Sequence, residues 1–296
     1  MICLSGWAAE PLGTHVQIVT NREAGGYRPQ VIKALVSALA AEGATATITY
    51  TGPNQQLLIE QDADLLCAAG GDGTLRHVVK AVADGGRAVP VAPYPMGTIN
   101  LYHREVGYPK DAANFARRAL GGTHAALHFP VELNDTLFLG CASIGPDAHA
   151  VANVSSGLKQ IIGRSAYVVA LARLLFRWPR PKLTLITDGK RHACEAVYIA
   201  KGTYFAGPWS FAPNATRVNQ KLHVITLKEA SRRKFLHFIH NTMRGRPLEA
   251  RDNLIVLSCT ALRIEGDADW PVQADGDDAA RLPVEIAARG NAVRVL

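Results

Sequence analysis

The chain has 296 residues, 48% hydrophobic and 19% charged, which supplies apolar material for two ordinary cores and excludes a disordered protein. A formal net charge of +7 draws it toward polyanions: nucleic acid, an anionic membrane surface or phosphorylated small molecules. It has no zinc-finger spacing, RNP-like aromatic pattern or long basic arm, so no nucleic-acid partner is expected.

In chain order, the opening MICLSGWAAEPLG lacks the basic start and sustained apolar run of a secretion signal. The most apolar stretch, AYVVALARLLF at 166–176, is too short to cross a bilayer and carries Arg173. The five cysteines (Cys3, Cys67, Cys141, Cys194, Cys259) form no CxxC pair and sit mostly in apolar runs, the pattern of buried thiols in a reducing compartment. A cytoplasmic protein is expected.

From Thr14 to about Gly122, short apolar runs alternate with helix-like stretches: HVQIVT, 28–42, ATITY, 54–61, DLLCAAGG, 74–84, AVPVAPY and 110–120. That rhythm predicts a parallel sheet covered by helices. Beyond Gly122 the runs read as longer strands at 124–133, 136–143, 182–188, 192–200, 221–228, 253–265, 270–274 and 283–296, with helices near 157–177 and 231–244. The expectation is α/β plus β: a parallel-sheet domain over 1–124 and an antiparallel β-sandwich over 125–283. The last strand, 284–296, would return to the first domain.

CAAGGDGTLRHVV, 67–79, places Gly70, Gly71 and Gly73 where a buried strand ends, with Asp72 between them and Thr74 opening a helix. Glycines let the backbone approach a ligand, and the helix start offers unpaired N–H groups to an anion, so phosphate is the natural guest. Neither GxxxxGK[ST] nor GxGxxG is present here, and the alternative is a plain strand-to-helix turn capped by Asp72. A second loop, APYPMGTINLYHRE at 92–105, follows the next strand with Gly97 and Thr98 at a turn and Asn100 at a helix start. Adjacent parallel strands would bring both loops to one pocket.

GGDGT (70–74), GTIN (97–100), SIGPDA (143–148), FAGPWSFAPNA (205–215) and QADGD (273–277) together resemble the motifs of the ATP-dependent lipid kinases that include bacterial diacylglycerol kinases and the sphingosine and ceramide kinases. Their order and spacing match along nearly the whole chain, whereas GGDGT alone also occurs in NAD kinases. The resemblance implies an active site between the two domains, ATP with Mg²⁺ as donor, and a lipid hydroxyl at an anionic membrane surface as acceptor. It implies that Gly70, Gly71, Asp72, Gly73 and Thr74, through to Arg76, hold the phosphates. Asn21, Thr49, Gly97, Thr98 and Asn100 would line the nucleotide site, and Asp275 and Asp277 are the catalytic acids, one of them the proton acceptor.

The chain departs from the family pattern at several points. Asp277 stands where glutamate is usual, Arg22 in NREAGG (21–26) where proline is usual, and Leu101–Tyr102 where aspartate and phenylalanine often follow GTxN. Asn219 and Gln220 replace the aspartate of a structural magnesium site. Without the resemblance, ADGDD reads as an acidic β-turn. A kinase of a soluble acceptor, akin to NAD kinase, and a nucleotide-binding protein with impaired catalysis are the alternative functions.

Two basic helices complete the reading. Residues 163–182 form an amphipathic stretch with Arg173, Arg177, Trp178, Arg180 and Lys182, suited either to an anionic membrane or to packing on the sandwich. Residues 231–246 put Phe235, Phe238 and Ile239 on one face, with His237 and His240 read as ordinary core or surface histidines.

Overall fold

Strand residues of alternating direction feed two cores on either side of the first sheet. The computed structural model describes residues 13–52, 55–97, 100–121, 125–152 and 178–296. Strands β1 (His15–Thr20), β2 (Thr45–Tyr50), β3 (Leu65–Gly70), β4 (Val91–Pro95), β5 (Ala126–His128) and β18 (Val293–Val295) make a sheet ordered β2-β1-β3-β4-β18-β5, parallel except at β18–β5. Val16, Ile18, Cys67 and Ala69 point to one face, under α1 (Pro29–Ala41) and α4 (Ala112–Leu120); Val19, Leu66 and Ala68 point to the other, under α2 (Asp72–Gly85). Local chemistry sets the helix ends: Pro29 pre-forms the first turn of α1, the Asp111 carboxylate accepts from Asn114 N at the start of α4, and Gly86 ends α2 at φ 64°.

The remaining strands form two antiparallel six-stranded sheets face to face. One contains β6 (Val131–Leu133), β7 (Thr136–Phe138), β9 (Leu183–Thr187), β10 (Lys190–Cys194), β14 (Ala261–Gly266) and β17 (Val284–Ala288), ordered β10-β9-β14-β17-β6-β7. The other contains β8 (Cys141–Ile144), β11 (Ala196–Ala200), β12 (Leu222–Leu227), β13 (Leu254–Cys259), β15 (Pro271–Ala274) and β16 (Asp277–Arg281), ordered β13-β12-β11-β8-β15-β16. Phe138, Ile144, Leu185, Ile199, Val224, Ile264, Val272 and Ile286 fill the space between them. Helix α5 (Pro146–Ala152) follows β8, and α6 (Arg232–Met243) lays Phe235 and Phe238 on the outer side of the third sheet, with Phe238 4.3 Å from the Tyr198 ring.

Several expected elements change. Residues 55–60 are not helical, because their backbone bonds to a side chain: Gln17 Nε2 donates to Leu58 O and Gln17 Oε1 accepts from Glu60 N. The runs 124–133, 136–143, 192–200, 253–265 and 283–296 each break into two strands in different sheets, at corners near Pro130, 139–140, Glu195, Thr260 and 289–292. Consequently the first sheet extends past 124 to take in Ala126–His128 and recovers only Val293–Val295, while Val284–Ala288 stays in the second sheet. The helix expected near 157–177, and Cys3, lie outside the described residues. Cys67, Cys141, Cys194 and Cys259 are free and buried, and among the described residues no helix is long and apolar enough to cross a membrane.

Candidate active site

Three loops meet at the carboxyl ends of β1, β3 and β4, and they meet backbone to backbone. A Cβ on Gly26 would sit 1.7 Å from Met96 O, and one on Gly97 would sit 2.5 Å from the Gly71 Cα, so contact at this distance requires glycine. A Cβ on Gly70 would lie 2.2 Å from Thr74 Oγ1, because that hydroxyl folds back over the strand end. Thr98 lies outside the described residues.

The residue that caps α2 is Gly71, which has no side chain to occupy the first turn. Gly73 in that turn lies toward Asp277, whose Oδ2 is 3.9 Å from where a Cβ on it would be, and an open first turn with its dipole is the arrangement that binds phosphate. Asp72 stands in that turn but serves a different helix: its carboxylate accepts from Leu101 N at 2.9 Å and Tyr102 N at 3.0 Å, the start of α3 (Leu101–Val106). One anion thus ties the first phosphate loop to the second. Burial pushes its pKa up to about 6 against the pull of those two amides, with Asp275 raising it further and Arg217 lowering it.

The other nucleotide-site residues divide by what occupies them. Asn100, held at φ 50°, donates from Nδ2 to Gly97 O at 2.6 Å, and its buried Oδ1 has no partner among the described residues. That oxygen is an unmatched acceptor 3.7 Å from where a Cβ on Gly71 would stand. Asn21 spends its Oδ1 on Glu23 N within its own turn. Thr49 sits on β2, separated from β3 by β1, and its hydroxyl accepts from Gln17. Thr49 is thus held away from the loop cluster, whereas Asn21 opens the β1 loop that takes part in it.

Across the cleft stands the turn between β15 and β16, where Asp275 at φ 48° and Gly276 at φ 87° form the left-handed pair of a tight hairpin. The two acids of this turn have different surroundings. Asp275 accepts from three backbone amides, Leu139 N and Gly140 N at 2.8 Å and Cys141 N at 3.0 Å. Asp277, its side chain 48% exposed, places Oδ2 3.1 Å from Arg76 Nη2, and that oxygen is 3.9 Å from where a Cβ on Gly73 would be. Phosphate loop and carboxylate therefore face each other.

Sequence reasoning missed two features of the site. A groove of about 870 Å³ leads away from Gly73 and Arg76 past His77 and Lys80 of α2, bounded by 55–59 and Thr136, within the size range of ligand pockets. The basic residues recur on one α2 face at helical spacing, a signal visible in RHVVK. Burial, with Arg76 and Lys80 nearby, holds the His77 imidazole below its usual range. The second feature is a hydrogen-bonded chain: Tyr198 OH to Asp147 Oδ1 at 3.0 Å, Ser143 Oγ to Asp147 Oδ2 at 2.5 Å, Gln273 Nε2 to Ser143 Oγ at 2.9 Å and Gly276 N to Gln273 Oε1 at 2.8 Å. It fixes the acidic turn from α5, and burial raises the Asp147 carboxyl against its two hydroxyl donors.

The metal expectations separate. The Asn219 carbonyl accepts from the buried Lys201 ammonium, so the chain puts its own cation there and the residues do not fit a structural ion. Among the described residues, the group of side chains near enough to share an ion is His15 at the start of β1 with Glu60 and Asp62 of the segment before β3, at the opposite end of the strands from the three loops, with His15 Nε2 already 2.9 Å from Glu60. In the cleft, Asp277 fits an ion that arrives on a ligand's phosphates, since Mg²⁺ typically takes one or two carboxylates besides phosphate and water.

Comparison with known proteins places the two halves separately. Residues 15–129 match the family model of the diacylglycerol kinase catalytic domain, and residues 140–296 match the model described as the YegS C-terminal NAD kinase beta sandwich-like domain. A diacylglycerol kinase of Staphylococcus carnosus is 24% identical over 227 residues, 76% of this chain and 74% of that protein. The crystal structure of a diacylglycerol kinase from Bacillus anthracis aligns over 97% of both chains with TM-score 0.67 and 19% identity. An NAD kinase from Archaeoglobus fulgidus, solved in complex with ATP, covers 95% of this chain and 93% of its own at TM-score 0.55 and 14% identity.

Proposed function

The chain belongs to the diacylglycerol kinase catalytic-domain family and is a kinase; from that premise we propose that it transfers the γ-phosphoryl group of ATP to the hydroxyl of a diacylglycerol-like lipid at an anionic membrane surface. The observation that carries this reading is the open first turn of α2 facing the half-exposed carboxylate of Asp277, with Arg76 between them.

The residues divide the work. The α2 amides at Gly71–Thr74 and the guanidinium of Arg76 hold the phosphates and stabilise the charge that spreads over the transferred group. Mg²⁺ bound with the nucleotide would neutralise charge on the bridging phosphates. Asp277 takes the proton of the lipid hydroxyl as its oxygen bonds to phosphorus and the bond to the β-phosphate oxygen breaks. Asp275 fixes the turn from which Asp277 projects, and Asn100 Oδ1 accepts a hydrogen bond from the bound nucleotide.

The test is γ-labelled ATP with Mg²⁺ and diacylglycerol in mixed micelles, followed by extraction. Label enters the organic phase with the wild-type protein and not with Asp277→Asn. ATP binding without labelled lipid would reject the lipid acceptor and leave a soluble acceptor or nucleotide binding without transfer.

A further inference from the structure

On the outer side of the third sheet, remote from the cleft, α6 and the segment that follows it enclose a cavity of about 360 Å³. Arg233, His237 and Phe238 of α6 form one wall; Arg246, Leu248 and Arg251 form the other. Phe238, Leu248 and Leu254 belong to the apolar cluster under the helix, so the floor is hydrocarbon and the rim cationic. Reciprocal bonds, Glu229 N to Asn253 Oδ1 at 3.0 Å and Asn253 Nδ2 to Glu229 O at 3.1 Å, hold the walls together.

The charges are not matched. Lys234 pairs with Glu229 at 2.7 Å, whereas Arg233, Arg246 and Arg251 have no ion pair among the described residues and face one lining carboxylate, Glu249. On the flank of α6 that borders the cavity face at Arg233, Leu236 and Met243 are 50% and 51% exposed, seven residues apart and hence on one stripe of the helix. Unpaired arginines around a pocket with hydrocarbon beneath, next to exposed apolar side chains, complement a surface of phosphate headgroups over acyl chains.

We propose that α6 and residues 246–254 are the surface by which this protein docks on an anionic lipid bilayer, with a headgroup phosphate entering the arginine-rimmed cavity and Leu236 and Met243 entering the acyl boundary. Residues 246–254 lead into β13 at one edge of the third sheet and α6 lies over β11 and β12 on its outer side, while the Asp277 turn is at the β16 edge, roughly 24 Å from β13 at the usual strand spacing. Docking at one edge therefore leaves the catalytic edge clear for a lipid. Its purpose rests on the lipid-acceptor reading, but binding needs no nucleotide, so docking and transfer fail independently.

Sedimentation with vesicles of phosphatidylcholine containing phosphatidylglycerol, against phosphatidylcholine alone, tests it. Each cation near an anionic surface contributes about fivefold, so R233Q/R246Q/R251Q loses roughly a hundredfold of binding to the anionic vesicles. The charge-preserving R233K/R246K/R251K keeps most of it, which excludes misfolding as the cause. Leu236→Gln with Met243→Gln weakens binding in a way that added salt does not mimic. Equal binding of wild type to both vesicles, undiminished binding of the glutamine triple, or loss in the lysine triple overturns the proposal. So does displacement from vesicles by millimolar sn-glycerol 3-phosphate, which would make the cavity a small-molecule site.

Discussion

The boundary between the first sheet and the sandwich is built in two ways along its length. At its sealed end, Arg217 is 2% exposed, stands 2.5 Å from Glu105 of α3 and lies 4.2 Å from the Tyr102 ring centroid. Its backbone accepts from Phe129 N, its Nε donates to Leu139 O, and Glu105 also accepts from Thr203 N. At its open end, Asp277 and Arg76 are 48% and 21% exposed and face the uncapped start of α2. Charges at the sealed end are committed to holding the halves together, and those at the open end are accessible to a ligand. Rigid closure on one side is what allows a phosphate loop and a carboxylate from different domains to keep one geometry.

The sharpest way to break this contrast is a pair of substitutions read in two assays. Asp277→Asn should lower turnover about 10²- to 10⁴-fold, the usual general-base contribution, with an unchanged melting temperature. Arg217→Met should do the reverse in kind: removing one partner of a buried pair costs about 3–5 kcal/mol of stability, because the enclosed Glu105 is left unmatched. Adding Glu105→Gln to Arg217→Met should recover part of that loss, as urea unfolding would show. A variant at Asp277 that unfolds, or one at Arg217 that keeps wild-type stability, would erase the distinction between the two ends.

How much of this could be read from the sequence follows from what pattern encodes. The β-α rhythm before 122, GGDGT and GTIN specify buried strands and bare turns locally, so the meeting of those two loops was legible, while the approach of Gly26 from the β1 loop to Met96 was not. Corners were not: in LIVLSCTALRIEG the apolar alternation continues through Thr260 while the chain changes sheets, because both halves face one core. Nor could spacing distinguish Asp275 from Asp277. Both sit in one five-residue motif around a two-residue turn, and only the fold brings Leu139, Gly140 and Cys141 amides to the first and Arg76 to the second. Asp72 reads as part of a phosphate loop, with a cap of its own helix as the alternative, and the helix it caps begins 29 residues later.

Asp275→Asn sharpens the comparison from within the turn. The amide keeps one acceptor oxygen but turns an NH₂ toward backbone N–H groups, so at least one of the three amides loses its partner. A loss of about 1–3 kcal/mol is expected, measurable by urea unfolding, with turnover falling through misplacement of Asp277. Nucleotide affinity should change little, since the phosphate loop is untouched. Unaltered stability would show that water replaces those bonds without penalty and that Asp275 does not position the turn.

The smallest effect is a dependence on pH located at Asp72. Its folded pKa, raised to about 6 by burial, lies above the usual aspartate value, so the folded state binds more protons between roughly pH 4 and 6. The stability from Asp72 is therefore greatest below that window and is lost as pH rises through 6. Glu105 and Asp147, also raised by burial, add to the same trend. Nucleotide binding should run the other way, because the ionised carboxylate grips the Leu101 and Tyr102 amides more strongly and holds the second loop against the first. Asp72→Asn should flatten both curves near pH 6, the melting temperature less than the binding, since the upward shifts of Glu105 and Asp147 still add to the pH dependence of stability. If the binding profile of the variant keeps the wild-type inflection, the proton belongs to another group and Asp72 is not what couples the two loops.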